Sequence, residues 1–208
     1  MNTFTQEHLT KESNIKYMTE EEFLELCDED IRAEFVDGEV IVFSPTSIRH
    51  GDISVFIVTL IRMFVDKNNL GKVWSDNIQV RLRPGLRRVP DLIFVAKGSK
   101  VKIKETEIEG APDLLVEIVS PDSVDRDWRD KYYDYQQARV KEYWIIDPNT
   151  NRFEIYCLNE EGKFVAQPTE RGIVKSKILP DFWMKSEWLW QEPLPNVITI
   201  AKELKIKI

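Results

Sequence analysis

Apolar and polar positions alternate along several short stretches of the chain, and a period of two is typical of β-strands. The first such stretch starts at Arg32, reverses at the two-residue turn Asp37-Gly38, and returns from Val40 to Phe43. An Asp-Gly pair favours a tight hairpin turn, because both turn residues need a positive φ. The N-terminal part of the chain is therefore predicted to contain a β-hairpin.

Two longer stretches repeat apolar residues at helical spacing. In the first, apolar residues recur from Ile53 to Phe64, and residues 68–71 provide a stop signal. The second covers residues 125–138. Its inner stripe consists of Trp128, Lys131, Tyr132, Tyr135 and Ala138. A shorter helix is predicted to begin at Thr19, because three glutamates follow this capping residue.

Three stretches between the two long helices are predicted to be strands, at residues 72–82, 89–96 and 112–120. The last two are apolar on both faces, as central strands are. Residues 142–148 form another apolar run after the second helix, and a strand–helix–strand unit favours parallel pairing. Shorter strands separated by turns follow. The fold class is therefore α/β, with a mixed sheet flanked by helices and an antiparallel C-terminal meander.

Length and composition indicate one globular domain, since 208 residues with 42% hydrophobic and 31% charged residues can bury a core. We expect a flexible N-terminal arm at residues 1–18 and a folded domain at residues 19–208. The chain lacks a membrane-length apolar run and a signal-peptide pattern, so a cytoplasmic location without a membrane partner is expected. The net charge of −7 argues against strong, indiscriminate attraction to nucleic acid, but a local basic patch remains compatible with it.

One carboxylate stands inside an apolar strand. Glu117 lies in the run Leu114-Leu-Val-Glu-Ile-Val-Ser120 and has apolar neighbours on both faces of the strand. An ionised carboxylate is costly in such a place unless it is paired or binds a metal. Glu117 is therefore a candidate metal ligand, and the alternatives are an ordinary ion pair or a solvent-facing strand end.

A second carboxylate would have to lie close enough to share the ion. Pro-Asp followed by an apolar run occurs twice, at Asp91 and at Asp113. Asp113 lies on the same strand as Glu117, about 13 Å away at roughly 3.3 Å per residue, which is too far for the two to share one ion. Asp91 is predicted on a neighbouring strand, about 4.8 Å across, and can reach it. Strand geometry therefore selects Asp91.

These acids belong to a wider pattern of residues that resembles a known family. The pattern comprises Glu34 to Glu39, Ser44-Pro45 with His50, Pro90-Asp91, Pro112 to Pro121, Asp127, Lys131 and Glu142 to Pro148. In this order it is similar to the Uma family of endonucleases, in the PD-(D/E)XK superfamily. The resemblance spans residues 19–190 and implies a restriction-endonuclease-like fold.

The resemblance implies a nuclease that uses Mg²⁺ or Mn²⁺ to hydrolyse phosphodiester bonds, with DNA as the favoured substrate. Asp91 and Glu117 match the metal-binding acids, and Glu34 matches the extra acid that often completes such sites. Mg²⁺ keeps several waters and accepts one or two carboxylates plus a phosphate. For Glu34, an ordinary outward position on the hairpin is the alternative. Restriction-type folds often act as dimers, so a homodimer is also expected.

The chain departs from the superfamily at the catalytic lysine, which would follow the glutamate by two positions, where Val119 stands. Lys131 can fill this gap, because the resemblance implies that the lysine can move onto the following helix. The alternative for Lys131 is a surface ion pair with Asp127, four residues earlier. Val119 also supports a second interpretation, in which a catalytically degenerate nuclease fold serves as a binding or assembly module.

Two further features are candidate substrate contacts. His50 can contact a phosphate or orient an acid, although capping or packing is the common role of such a histidine. Four arginines lie around a Pro-Gly turn that leads into Asp91, and they form either a grip on DNA phosphates or a solvated hairpin tip. These are Arg81, Arg83, Arg87 and Arg88.

Overall fold

The computed structural model describes residues 17–26, 32–75, 78–121 and 123–206. The helices are α1 (Glu20–Leu26), α2 (Ile48–Asn68), α3 (Lys131–Gln137) and α4 (Val197–Glu203), with a π-helical turn at Arg126–Asp130 and a 3-10 helix at Ser186–Trp190. The first eight strands are β1 (Ala33–Val36), β2 (Glu39–Val42), β3 (Gly71–Ser75), β4 (Gln79–Arg83), β5 (Leu86–Arg88), β6 (Leu92–Ala96), β7 (Lys102–Ile103) and β8 (Glu107–Glu109). The remaining six are β9 (Leu114–Ile118), β10 (Glu142–Asp147), β11 (Arg152–Leu158), β12 (Phe164–Ala166), β13 (Ile173–Lys175) and β14 (Trp183–Lys185).

The strands form two six-stranded sheets and a separate hairpin of β13 and β14. The outer sheet has the order β2-β1-β5-β4-β8-β7, and the central sheet has the order β12-β11-β10-β9-β6-β3. Pairing is parallel between β9 and β10 and between β4 and β8, and antiparallel between the other neighbours. The α/β class with mixed sheets is confirmed, and so is the parallel strand–helix–strand unit.

The central sheet separates two apolar cores. On one face, Val116 and Ile118 of β9 pack with the inner stripe of α2 and with the C-terminal region. On the other face, Leu115 packs with Tyr135 of α3 and with Val80 of the outer sheet. Because side chains alternate along a strand, Glu117 shares the face of Leu115 and points toward α3. This alternation places the carboxylate of Glu117 beneath α3.

The hairpin of β1 and β2 forms at the predicted turn, where Asp37 and Gly38 have φ values of 48° and 101°. The predicted strand at residues 72–82 is wrong in one respect, since β3 and β4 belong to different sheets. Val73 packs in the core that contains α2, whereas Val80 packs in the other, so this stretch serves two cores. Hydrophobic periodicity alone does not report such a change of sheet.

The predicted N-terminal arm at residues 1–18 lies outside the described residues except for its last two. None of the helices in the described ranges combines the length and the apolar character that crossing a membrane requires.

Candidate active site

Asp91 and Glu117 are neighbours across the central sheet. Asp91 lies directly before β6, which pairs with β9 so that Leu92 stands opposite Val116. The Ile118 amide donates a hydrogen bond of 2.7 Å to Asp91 Oδ2, which turns this carboxylate toward the strand that carries Glu117. Both side chains are buried. The structure therefore brings the two predicted acids together.

Lys131 reaches the same place from the first turn of α3. Its Nζ lies 2.7 Å from Glu117 Oε2, 3.2 Å from Glu34 Oε1 and 3.2 Å from Asp127 Oδ1. The side chain of Lys131 is only 3% exposed, so its pair with Asp127 is not a surface ion pair. One ammonium thus joins three carboxylates in the protein interior.

The π-helical turn explains how Asp127 and Lys131 both face inward. The Lys131 amide donates its hydrogen bond to Arg126 O, five residues earlier, which is the spacing of a π-helix. Tyr143 fixes the turn from below by donating a hydrogen bond of 3.0 Å to Asp127 O. Ser123 also donates to Asp127 Oδ2, whereas Asp127 Oδ1 is buried and accepts no hydrogen bond. Asp127 Oδ1 is therefore paired with the Lys131 ammonium at 3.2 Å without accepting a hydrogen bond.

Glu34 enters from β1 of the outer sheet and is fully buried. Its Oε2 accepts 2.7 Å from Arg88 Nη1, and its Oε1 accepts 3.1 Å from the Val89 amide. Burial raises the pKa of Glu34, but the charges of Lys131 and Arg88 outweigh burial and hold the pKa below its usual value. Both oxygens therefore have partners within the chain, and Glu34 holds Arg88 and Lys131 in place.

Asp91 has two side-chain partners besides the Ile118 amide. His50, in the first turn of α2, places Nε2 at 3.3 Å from Asp91 Oδ2, and Arg32 Nη2 lies 3.2 Å from Asp91 Oδ1. Ser47 caps this helix and accepts the His50 amide at 3.1 Å, which fixes where the imidazole begins. Burial raises the pKa of Asp91, but contacts with His50 and Lys131 lower it below its usual value. Asp91 is therefore held ionised.

Glu117 behaves differently. Burial raises the pKa of Glu117 to about 8, because the nearby charges of Asp127, Asp91 and Glu34 add to burial and offset the attraction of Lys131. Tyr135 donates a hydrogen bond of 2.6 Å to Glu117 Oε1. For Lys131, burial lowers the pKa, but the four surrounding acids outweigh it and raise the pKa above its usual value. The cluster therefore has more negative charge than one lysine neutralises.

These groups border one cavity of about 460 Å³. Its wall includes Asp91, Glu117, Asp127, Lys131 and His50, whereas Glu34 lies behind the wall. Within the described ranges, no three His, Cys, Asp or Glu side chains form a ready metal cage. The carboxylates of Asp91, Glu117 and Asp127 on this wall are nevertheless donors of the kind that suits Mg²⁺, which retains several waters.

The four arginines around the Pro-Gly turn pair with carboxylates instead of forming an open cationic patch. Arg81 and Arg87 lie 2.6 and 2.7 Å from Glu20 Oε1, which ties α1 to the outer sheet. Their remaining contacts join Arg83 to Asp37, Arg87 to Glu107, and Arg88 to Glu34 and Asp134. The structure thus gives these predicted DNA contacts a role in joining secondary-structure elements.

Three cavity residues were not assigned to the site from the sequence. Asp127 stood in the family pattern without a role, and neither Arg32 nor Arg126 was singled out. The signal for Asp127 was its spacing of four residues from Lys131, because residues four apart lie on the same face of a helix. For the two arginines no local signal exists, because 94 positions separate them in the chain.

Known proteins resemble this chain in sequence and in fold. Residues 20–187 match the family model of Uma2, described as "Putative restriction endonuclease". The fold is similar to the crystal structure of a nuclease belonging to DUF820, titled as putative, from Anabaena variabilis ATCC 29413. The TM-score is 0.67 at 20% sequence identity, covering 83% of this chain and 97% of that one. No curated protein matches the sequence. The resemblance seen in the sequence is confirmed, and the chain belongs to the Uma2 family of restriction-endonuclease-like proteins.

Proposed function

We propose that this chain is a metal-dependent endonuclease that hydrolyses phosphodiester bonds in DNA. The observation that carries the proposal is the meeting of Asp91, Glu117 and Lys131 on the wall of one cavity, with Lys131 Nζ 2.7 Å from Glu117 Oε2. Asp91 lies directly before β6, Glu117 lies in the adjacent strand β9, and Lys131 begins α3, which is the order that the resemblance implies. The family supports a nuclease, and DNA and metal dependence are our additions.

Asp91 and Glu117 would hold a Mg²⁺ or Mn²⁺ ion, since both offer carboxylate oxygens to the cavity. When bound there, the ion supplies Lewis-acid polarisation of the phosphodiester and lowers the pKa of an attacking water. Asp127 is the third acid we assign to this wall, because it lines the cavity and its Oδ1 is held only by an ion pair with Lys131 among the described residues. Glu34 acts from behind by holding Lys131 and Arg88.

Lys131 takes the role of the superfamily's catalytic lysine, because the position expected for that lysine is occupied by Val119. Val119 is buried in the apolar core beside Tyr135 and brings no charge to the site. The ammonium of Lys131 instead arrives from α3 and stays protonated, since the surrounding acids raise its pKa. A fixed positive charge at the cavity wall stabilises the negative charge that develops on a phosphate during attack. We assign this role to Lys131, and His50 orients Asp91 through their 3.3 Å contact.

Cleavage of plasmid and single-stranded DNA with and without Mg²⁺ or Mn²⁺ tests the proposal. We expect wild type to cleave only with the ion, and Asp91→Asn and Glu117→Gln to lose the activity. Asp66→Asn is the matched control, because Asp66 is an exposed carboxylate on α2. Equal activity in all four proteins, or in wild type without any ion, would exclude the proposed site.

A binding or assembly module that lost the chemistry is the second candidate function. The observation that favours it is Lys131, which already compensates part of the negative charge that an ion would neutralise. Titration calorimetry with Mn²⁺ separates the two, because only the nuclease requires ion binding that Asp91→Asn and Glu117→Gln abolish. The homodimer and the cytoplasmic location stay predictions.

A further inference from the structure

The cavity also has a cationic part that the carboxylates do not account for. Arg32, Phe43 and Arg126 all line it. The guanidinium carbons of Arg32 and Arg126 lie 5.0 and 5.3 Å from the centre of the Phe43 ring. We call these three residues the Arg–Phe cluster. It gathers parts of the chain before β1, after β2 and at the start of the π-helical turn around one aromatic ring.

The arginines of the Arg–Phe cluster have hydrogen-bonding capacity left over. The Nε atoms of Arg32 and Arg126 are buried and have no hydrogen-bond partner. Arg32 still pairs with Asp91, whereas the side chain of Arg126 makes no ion pair or hydrogen bond with any described residue. A buried donor without an acceptor is unfavourable, because it has given up its hydration. Each of the two Nε atoms is therefore available to an acceptor that the described residues do not supply.

The charge balance around Phe43 points to an anion. Lys131 Nζ is a third cation near this ring, at 5.9 Å from its centre. Lys131 is compensated by three acids and Arg32 by Asp91, whereas Arg126 forms no ion pair with a described acid, although its charge acts on Asp127. An anion beside Arg126 would supply the opposing charge that its side chain lacks among the described residues.

Phosphate is the anion that this part of the cavity fits. A guanidinium presents paired N–H donors at the spacing of two phosphate oxygens, and an aromatic face holds it in one orientation. Ser44, Thr46 and Ser47 add hydroxyl groups to the same cavity wall, just before the amino end of α2. Hydroxyl groups and arginines are among the groups with which proteins contact a nucleic-acid backbone.

We propose that Arg126, together with Arg32, binds a backbone phosphate of the nucleic acid beside the phosphodiester that faces Asp91 and Glu117. The inference rests on the proposed function, because it places the same substrate in the same cavity. Arg126 makes the main contact, since Arg32 remains shared with Asp91 at 3.2 Å. Phe43 is a positioning residue that orients both guanidinium groups. With a net charge of −7 the protein as a whole does not attract a polyanion, so a local cationic contact of this kind favours binding.

The test is the salt dependence of binding to a short DNA duplex, measured by fluorescence anisotropy with Ca²⁺ present. Each phosphate contact adds about 0.9 to the slope of log affinity against log salt concentration. We expect Arg126→Gln to weaken binding about tenfold and to lower the slope by about 0.9, and Arg126→Lys to restore the slope. Phe43→Leu keeps both charges, so it weakens binding with an unchanged slope.

Arg129→Gln is the matched control, because Arg129 lies in the same π-helical turn but is 74% exposed and pairs with Asp130. An equal slope for wild type, Arg126→Gln and Arg129→Gln overturns the phosphate site, and so does a wild type that fails to bind DNA. Cleavage assays keep the two proposals apart. If wild type cleaves DNA but Arg126→Gln has the same salt slope as wild type, the nuclease proposal is supported and the phosphate site is contradicted. If Arg126→Gln lowers the slope but wild type does not cleave DNA, the phosphate site is supported and the nuclease proposal is contradicted.

Discussion

Lys131 Nζ lies 2.7 Å from Glu117 Oε2, although the lysine begins α3 and the glutamate lies in the middle of β9. This contact joins the helix to the central sheet through charges instead of apolar packing. The same ammonium contacts Glu34 on the outer sheet, so three layers of the fold meet at one nitrogen atom. Changes at Lys131 should therefore affect stability as well as activity.

Lys131→Met should lower the free energy of unfolding by about 3–5 kcal/mol, because removing one partner of a buried ion pair leaves uncompensated charge inside the protein. Lys185→Met is the control. Lys185 pairs with Glu203 at a similar 3.0 Å, but both side chains are more than a third exposed, at 34% and 39%, so we expect a loss of about 1 kcal/mol or less. Urea unfolding at neutral pH measures both. Similar losses for the two variants would contradict the buried role of Lys131.

Asp127→Asn should make the protein more stable and less active. Burial raises the pKa of Asp127 despite Lys131 and Ser123, so the ionised form opposes folding at pH values above its usual range. The amide removes that penalty, and we expect a gain of about 1 kcal/mol at pH 8 that disappears as acid protonates the wild-type carboxyl. Urea unfolding at pH 8 and pH 4 measures the change in stability, and DNA cleavage at pH 8 measures the change in activity. A destabilised variant would show that Asp127 is needed for the fold.

Glu20 should make stability depend on acid. A hydrogen bond with Arg81 lowers the pKa of Glu20 to about 2, against a smaller opposing effect of burial. A carboxyl with a lowered pKa contributes stability above its usual value of 4.5, and the contribution is lost as pH falls toward 2.

Glu20→Gln should therefore cost about 1 kcal/mol at pH 7 and nothing near pH 2. Guanidinium unfolding between these pH values measures the difference from wild type. Glu21→Gln changes the next residue of α1, which is exposed, and should have little effect at any pH. A constant cost of Glu20→Gln across the range would rule out ionisation as the cause.

Glu142→Gln should loosen the C-terminal hairpin without touching the cavity. The buried Glu142 carboxylate accepts 2.6 Å from Ser176 Oγ and 2.7 Å from the Lys177 amide, and it also accepts from Trp144 Nε1. An amide accepts at only one of these two oxygen positions, so we expect a loss of about 2 kcal/mol. Hydrogen exchange should rise in β13 and β14, while exchange in β1 and β2 stays unchanged and serves as the internal control.

Elements set by neighbouring residues could be predicted from the sequence. The Asp37-Gly38 turn and the apolar stripe of α2 follow from local rules, and strand spacing was enough to place Asp91 beside Glu117. The change of sheet between β3 and β4 did not follow, because it depends on which core accepts each apolar side chain. Hydrophobic periodicity shows which side chains of a strand share a face, but it does not show which core that face packs against.

The surroundings of the acids depend on contacts that the sequence does not display. Arg88 and Lys131 converge on Glu34 from separate elements, and this leaves Glu34 behind the cavity wall. The basic turn was visible as a run of arginines, but Glu20 lies more than sixty positions away and neutralises two of them. Long-range pairing therefore decides which charges stay available to a substrate.

The π-helical turn at Arg126–Asp130 makes the candidate site sensitive to helix register. Such a turn contains one residue more than an α-helix would need to reach the same point. Deleting that residue would rotate the preceding side chains by about 100° relative to α3, since an α-helix has 3.6 residues per turn. Arg126 and Asp127 would then leave the cavity while the sheets and α3 stayed intact. Deleting one codon would thus remove Arg126 and Asp127 from the cavity without changing Asp91 or Glu117.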